Sequence, residues 1–437
     1  MPPTSIPALF LRAALLTLFL SLCPLQATAG EPALAPTPSV RRLTLDEAKQ
    51  IALAGNRSLA LARLNIAEKE LATTAAGKDY YPKLLGDLTY LHFDTNLGQI
   101  TNVASGKFGL IPAGTTLVNT AVLNQNSALS TILVAQPITK LIAVNAAVKI
   151  ARADENAARA QLDKGTRDLL SGVAQAYEGL LGARRIQAAL ELQAKLLEEL
   201  LSAKPVPELR VALVEIRQGL AQVRGQSQQL SDLLNNLLDL PACTVLELVD
   251  PMPPALQVQC ADDAARQALA NSPEVREAEQ NIAKAEAARQ VANMAYLPNV
   301  NLIGAYTNQT AAPSIQDNFG YVGLIATYTF WDWGKRRDLK RQRETQIAMA
   351  HENLRVTMDK VQLDGRKAYI AFEQAREAFQ LAGEMVKARK EAEKAATGAA
   401  VLQSKADTSK AELEYMKDEI AYRVAHAQLA GLVCAAP

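Results

Sequence analysis

This chain is short of aromatics, histidine and cysteine, and neither sign of charge predominates. Each shortage excludes something. Forty-six Lys and Arg against forty-five Asp and Glu leave a formal charge of +1, which gives no general attraction to nucleic acid. The three histidines, His92, His351 and His426, stand far apart, and the four cysteines show no zinc spacing, so no metal site is read. There is no nucleotide-cradling glycine loop, no G-x-S-x-G elbow and no H-E-x-x-H. Nothing in the pattern reads as an enzyme, and no cofactor is implied. Beyond the N-terminus no apolar run reaches the roughly 18 residues that a membrane helix needs. That leaves a β-barrel as the one way this chain could enter a bilayer.

What is present is mostly alanine and leucine. The hydrophobic fraction is 49% while aromatics make up only 5%, a balance that favours long, closely packed helices. The first 29 residues read as a secretory signal peptide: Arg12 precedes the apolar run AALLTLFLSL, and Ala27-Thr28-Ala29 offers a small-x-small cleavage site before Gly30. Cys23 follows Leu22, where a lipoprotein signal would want a small residue. In an oxidising compartment Cys243 and Cys260 are candidates to close an 18-residue loop, a bridge of about 3 kcal/mol by loop-closure entropy, with two unpaired thiols as the alternative.

The chain repeats itself. Setting Pro82 on Pro298 gives an offset of 216, at which Tyr80 meets Tyr296, Asp46 meets Asp262 and Asn65-Ile66-Ala67 meets Asn281-Ile282-Ala283. After the strand-like segments the offset is 192, aligning Ala176-Tyr177 with Ala368-Tyr369 and Leu240 with Leu432. The difference of 24 residues lies in the Gly-, Asn- and Thr-rich segment around 94–127. Residues 30–42 form an N-terminal segment, 43–241 the first repeat, 242–259 a proline-rich linker, 260–433 the second repeat and 434–437 a tail. Each repeat is expected to run helix, β-hairpin (about 83–138 and 297–330), long helix (140–203 and 331–396), then a returning helix (208–240 and 404–432).

Small and apolar residues at alternating steps of four and three give the long helices a coiled-coil seam: Leu162, Thr166, Leu169, Val173, Ala176, Leu180 and Ala183 in the first. The second answers with Leu354, Met358, Val361, Ala368, Phe372, Ala375 and Phe379, with Gly365 weakening one position. A helix of some 64 residues is a rod about 96 Å long and must pack along other rods. Alternation in the hairpins puts Val300, Leu302 and Tyr306, and then Val322, Leu324 and Tyr328, on one parity, with Ile132 and Val134 matching in the first repeat. These eight are candidate lipid-facing residues of a barrel, each strand being about ten residues. Twelve of the chain's 21 aromatics fall within 80–93 and 296–333, as interfacial girdles would require. An ordinary buried hairpin is the bland alternative, but two hairpins alone cannot hide their edges, so several copies are needed.

The opening LTLDEAKQIALAGN and its echo ADDAARQALANSPEV, the helix-ending YYP and YLP, the strand-to-helix crossings AQPI and TYTFWDWG, and the closing LLDLP and LAGLV resemble the TolC-type outer-membrane efflux proteins. The resemblance covers nearly the whole mature chain. It implies an α+β membrane protein of the Gram-negative outer membrane: a homotrimer whose chains each give four strands to a 12-stranded transmembrane β-barrel, continued by a periplasmic α-helical barrel. It implies passive export, as the exit duct of a tripartite efflux or type I secretion system. The implied partners are outer-membrane lipid, a periplasmic adaptor (membrane fusion) protein and an inner-membrane transporter of the RND, ABC or MFS type. A periplasmic coiled-coil structural or adhesion protein without a pore is the competing reading.

The far tips of the rods are expected at Val206-Pro207 and at Gly398. Family members often carry glycine and a small residue at both tips; here proline replaces it in one copy. Glu215 and Asp407 correspond at offset 192 and are candidates for a ring of six carboxylates in three copies, or else for a solvated helix face. The basic stretch GKRRDLKRQRE, residues 334–344, reads as a contact with anionic lipid or as a solvated first turn. Arg184 and Arg376, at matching positions, are expected to pair with acids on neighbouring helices.

Overall fold

The computed structural model describes residues 40–94, 123–203, 206–241, 244–250, 256–312, 315–395 and 400–434. The signal segment, Cys243 and Gly398 lie outside them. Strand β1 (Val40–Leu43) leads into helix α1 (Leu45–Gly55), which starts with a capping box: Thr44 accepts from the Glu47 amide and the Glu47 carboxylate accepts from the Thr44 amide. The first helix of each repeat is in fact two. Asn56 ends α1 in an extended conformation and its side chain caps α2 (Arg57–Lys78); Ser272 does the same between α5 (Ala261–Asn271) and α6 (Pro273–Met294), helped by Pro273 at the first helical position. Asn56 and Ser272 correspond at offset 216, so the restart is itself repeated.

Proline then forbids continuation past Asp79 and Ala295, and the chain enters the strands. These are β2 (Lys83–His92) and β3 (Asn126–Pro137) in the first repeat, and β5 (Asn299–Gln309) and β6 (Asn318–Thr327) in the second. The rods are α3 (Lys140–Ala203, 64 residues) with its return α4 (Pro207–Leu237), and α7 (Lys335–Ala395, 61 residues) with α8 (Ala400–Val433).

The four long strands form one antiparallel sheet in the order β2-β3-β5-β6. The helices beneath follow the same lateral order, since α2 packs on α3, α3 on α6 and α6 on α7. Farther from the sheet the row becomes α4-α3-α8-α7. The tightest core lies part-way along α3, where Leu169, Val173, Ala176, Tyr177 and Leu180 meet Ala48, Ala52, Leu234 and Leu238. A pairing that the repeat pattern does not announce closes it: β1 runs parallel to β4 (Val245–Leu248), in the linker. Tyr177 Oη lies 2.9 Å from the Leu43 carbonyl and 2.5 Å from that of Val249. The second core is looser, centred on Phe372, Ala425, Leu429 and Val433. Gly365 belongs to it rather than weakening it: a Cβ there would stand 3.1 Å from Ala268 and 3.2 Å from the Ala264 carbonyl, so glycine is what lets α7 approach α5.

Candidate functional site

In an antiparallel sheet, directly paired residues share a face. The register therefore builds rows across all four strands: Leu84-Val134-Gly304-Val322, then Gly86-Ile132-Tyr306-Gly320, with Gln136-Leu302-Leu324 and the pair Val300-Ala326 nearer the helices. The side chains of Leu84, Ile132, Tyr306, Leu324 and Val322 (82% exposed) have nothing covering them. The opposite face mixes apolar residues with Asp87, Thr89, Thr131, Thr307 and Gln309; Thr131 and Thr307 hydrogen bond across strands at 3.2 Å. Both ends of the sheet are open, since β2 and β6 each have a single neighbour. Among the described residues no helix is long and apolar enough to cross a membrane.

At the corner where β6 meets α7 the chain turns sharply. Trp333 and Gly334 both have positive φ, 58° and 87°, and Asp332 holds the turn by accepting from the amides of Gly334 and Arg336, each at 3.1 Å. Arg336 is not a solvated residue of a first turn. It pairs with Asp332 at 2.7 Å, donates to the Thr329 carbonyl at 2.9 Å and lies 5.5–5.6 Å from the ring centres of Tyr296 and Tyr328. Tyr328, beyond the end of β6, thus works in the corner as well as at the rim. Trp331 (71% exposed) and Trp333 (88%) stack edge to face outside this knot.

Of the tip residues, Val206 is the N-cap of α4 without a side-chain cap bond, and Pro207 occupies its first turn. Asp407 is engaged within its own chain by Arg389 on α7 at 3.2 Å, while Glu215 is exposed on α4. Cys260, the N-cap of α5, is exposed, and Cys243, its candidate bridge partner, lies outside the described residues. Arg184 donates to the Leu246 carbonyl and Arg376 pairs with Glu373 on its own helix, so neither reaches an acid on a neighbouring helix as expected.

An ion cluster that sequence reasoning missed ties the two repeats together. Buried Glu178 on α3 meets Arg423 on α8 at 3.3 Å; Arg423 also holds Glu419 and Asp250, both at 2.8 Å, and Arg185 binds Asp250 and Glu419. Burial pushes the Glu178 carboxyl above its ordinary pKa, and Arg423 pulls it only part of the way back. None of these residues repeats at offset 192; the contact between α3 and α8, with the linker after β4 beside it, brings them together. Beside them a Cβ on Gly182 would lie 2.1 Å from Ile420, so the two helices touch where glycine leaves no side chain.

Residues 264–432 match the family model described as outer membrane efflux protein. About nine-tenths of the chain superposes on solved outer-membrane channels. It matches the outer-membrane channel OprN at 17% identity and a TM-score of 0.71, covering 90% of each chain. The open state of the Neisseria gonorrhoeae MtrE channel is matched at 17% identity and 0.67, covering 89% of this chain and 88% of that one. VceC from Vibrio cholerae is matched at 14% and 0.66, covering 90% and 97%. No curated protein matches by sequence. The chain therefore has the outer-membrane channel fold over nearly its full length, and the resemblance carried by its motifs stands.

Proposed function

We propose that this protein is the outer-membrane exit duct of an export system in a Gram-negative bacterium, conducting passively what an inner-membrane transporter delivers. The observation that carries the reading is the double open edge. The β2/α2 side and the β6/α7 side of the row are both unpaired, and both carry exposed apolar stripes: Leu61, Leu64 and Leu71 on α2, and Met349, Val356, Leu363 and Ile370, seven residues apart, on α7. A heptad stripe in water is half of a coiled coil. Edges of different kind on the two sides join copies head to tail, and such contacts close into a ring.

Three copies complete a ring of twelve strands. An eleven-residue strand tilted by about 40° rises about 26 Å, close to the apolar band of an outer-membrane barrel. The eight candidate residues then face lipid, the polar rows face the lumen, and the Val206-Pro207 turn forms a periplasmic tip that meets an adaptor. Glu215 lines the tip as a carboxylate ring, with Asp407 screened by Arg389. The test is the mass of the detergent-extracted protein together with particle imaging and conductance in planar bilayers. A three-chain particle with a hollow stalk of about 100 Å and discrete conductance steps supports the duct. A detergent-independent monomer without conductance overturns it and leaves a coiled-coil scaffold.

A further inference from the structure

The corner where β6 passes into α7 carries a charge pattern that the channel reading does not use. Residues 334–344 hold six basic and two acidic side chains, and they begin a 61-residue helix whose N-terminus is already electropositive. Other helices of the chain put acids there: Asp46 and Glu47 in α1, Asp262 and Asp263 in α5, Glu274 in α6. At offset 192 the same place in the first repeat, residues 142–152, reads IAVNAAVKIAR, with only Lys149 and Arg152 basic against six here, so most of the charge is not a product of the duplication. Arg336 is taken by the turn itself. Lys335, Arg337, Lys340 and Arg341 are all exposed, and among the described residues their acidic partners are Asp338 and Glu344, at long separations of 3.8 and 4.0 Å from Arg337 and Lys340. Within one turn stand the bare indoles of Trp331 and Trp333 and the exposed ring of Phe330.

We infer that this corner is a binding surface for anionic phospholipid headgroups of the periplasmic leaflet, with the two indoles at the headgroup level and the four exposed cations on the phosphates. The inference rests on the membrane reading above. Indoles favour the interface between hydrocarbon and water, and cations within a turn or two of it, up to about 9 Å along the helix axis, remain inside the headgroup layer or one Debye length of it. A second copy of the chain is a poor occupant. The edge that would face this corner, where α2 ends and β2 begins, presents Lys78, Asp79 and Lys83, and Asp79 is already paired with Lys83 at 3.1 Å. The charge thus complements lipid and not the neighbouring edge. In a closed ring the corner recurs once per chain and fixes the depth of the barrel in the membrane.

Trp331 and Trp333 are the only tryptophans in the sequence, so intrinsic fluorescence reports on this surface alone. The full-length protein is reconstituted into phosphatidylcholine vesicles containing the same small fraction of either brominated phosphatidylglycerol or brominated phosphatidylcholine. The expected result is quenching at least about two-fold stronger by the brominated anionic lipid, reduced by 0.5 M salt. The combined variant Lys335→Gln, Arg337→Gln, Lys340→Gln, Arg341→Gln, which leaves Arg336 in place, is expected to be quenched equally by the two lipids while inserting normally. Equal quenching of the unaltered protein by both lipids overturns the headgroup site and leaves the membrane reading intact. No quenching by either lipid overturns the membrane placement on which both stand.

Discussion

Tyr177 has no exposed surface, and its hydroxyl sits between the carbonyls of Leu43 and Val249 while accepting from the Val249 amide at 3.0 Å. Burial pushes its pKa up to about 12, so it stays a neutral donor at any working pH. One side chain thus ties α3 to β1 and to the linker after β4, the two strands whose pairing the sequence did not announce. A four-residue strand with one partner far away in the chain leaves no periodic signal, whereas the Tyr177–Tyr369 correspondence was visible in the repeat. The hydroxyl of Tyr369 makes the equivalent bond to the Gln259 carbonyl at 3.1 Å, but from a more exposed position. Tyr177→Phe is expected to cost about 1–3 kcal/mol, because it leaves buried carbonyl and amide groups short of a partner. Tyr369→Phe is expected to cost less than about 1 kcal/mol, and thermal melting of the two variants in one detergent reads the difference. Equal losses would show that the two repeats are held alike.

Among the elements, the strands and rods were legible because their periods are long and their stops are chemical: YYP, YLP and the heptad seam. The split of each first helix at Asn56 and Ser272 was less so, because a helix restart depends on one extended residue with a capping side chain. Least legible was how the elements dock. The repeats do not meet through the apolar seam alone. Helices α3 and α6 are joined by a polar ladder: Lys284 to Asp154 at 2.7 Å, Gln161 to Glu277 at 2.7 Å, Arg276 to Asp163 at 2.9 Å, and the two-pronged Arg167–Glu274 pair at 3.0 and 2.6 Å. Burial raises the Glu274 pKa, but the bonds from Arg167 and from its own backbone outweigh it and hold the carboxyl below its ordinary 4.5. A lowered carboxyl pKa means stability that is present above 4.5 and is lost as pH falls through the folded-state value. Glu274→Gln is therefore expected to lower stability by about 1–3 kcal/mol at pH 7 and to narrow its deficit as the pH is taken below 4. Melting curves across pH 3–8 check this, and a deficit that stayed constant would place the variant's effect in packing rather than in the ion pair.

At the scale of the whole molecule the lateral order β2-β3-β5-β6 over α2-α3-α6-α7 makes a slab with two unlike edges, and its closure is a matter of which residues meet across them. Counting from the sheet, Leu64 lies fourteen residues from the end of α2 and Met349 fourteen residues from the start of α7, which puts both about 21 Å down the slab. In the proposed head-to-tail ring these levels stand side by side, and α2 of the next copy would then partner the stripe on α7. Met349→Glu with Val356→Glu is expected to abolish the three-chain particle: each contact loses about 1.5–3 kcal/mol of apolar burial per side chain and gains a charge to desolvate. Helix content should not change, since both residues are exposed in the single chain. Adding Leu64→Lys to that variant places an opposite charge at the same level and is expected to restore part of the oligomer, while Leu64→Lys alone weakens it. Mass measurements in detergent on the four proteins distinguish the outcomes. A three-chain mass for the double-Glu variant would mean that copies join elsewhere, and failure of Leu64→Lys to rescue would mean that α7 closes on a different helix than α2.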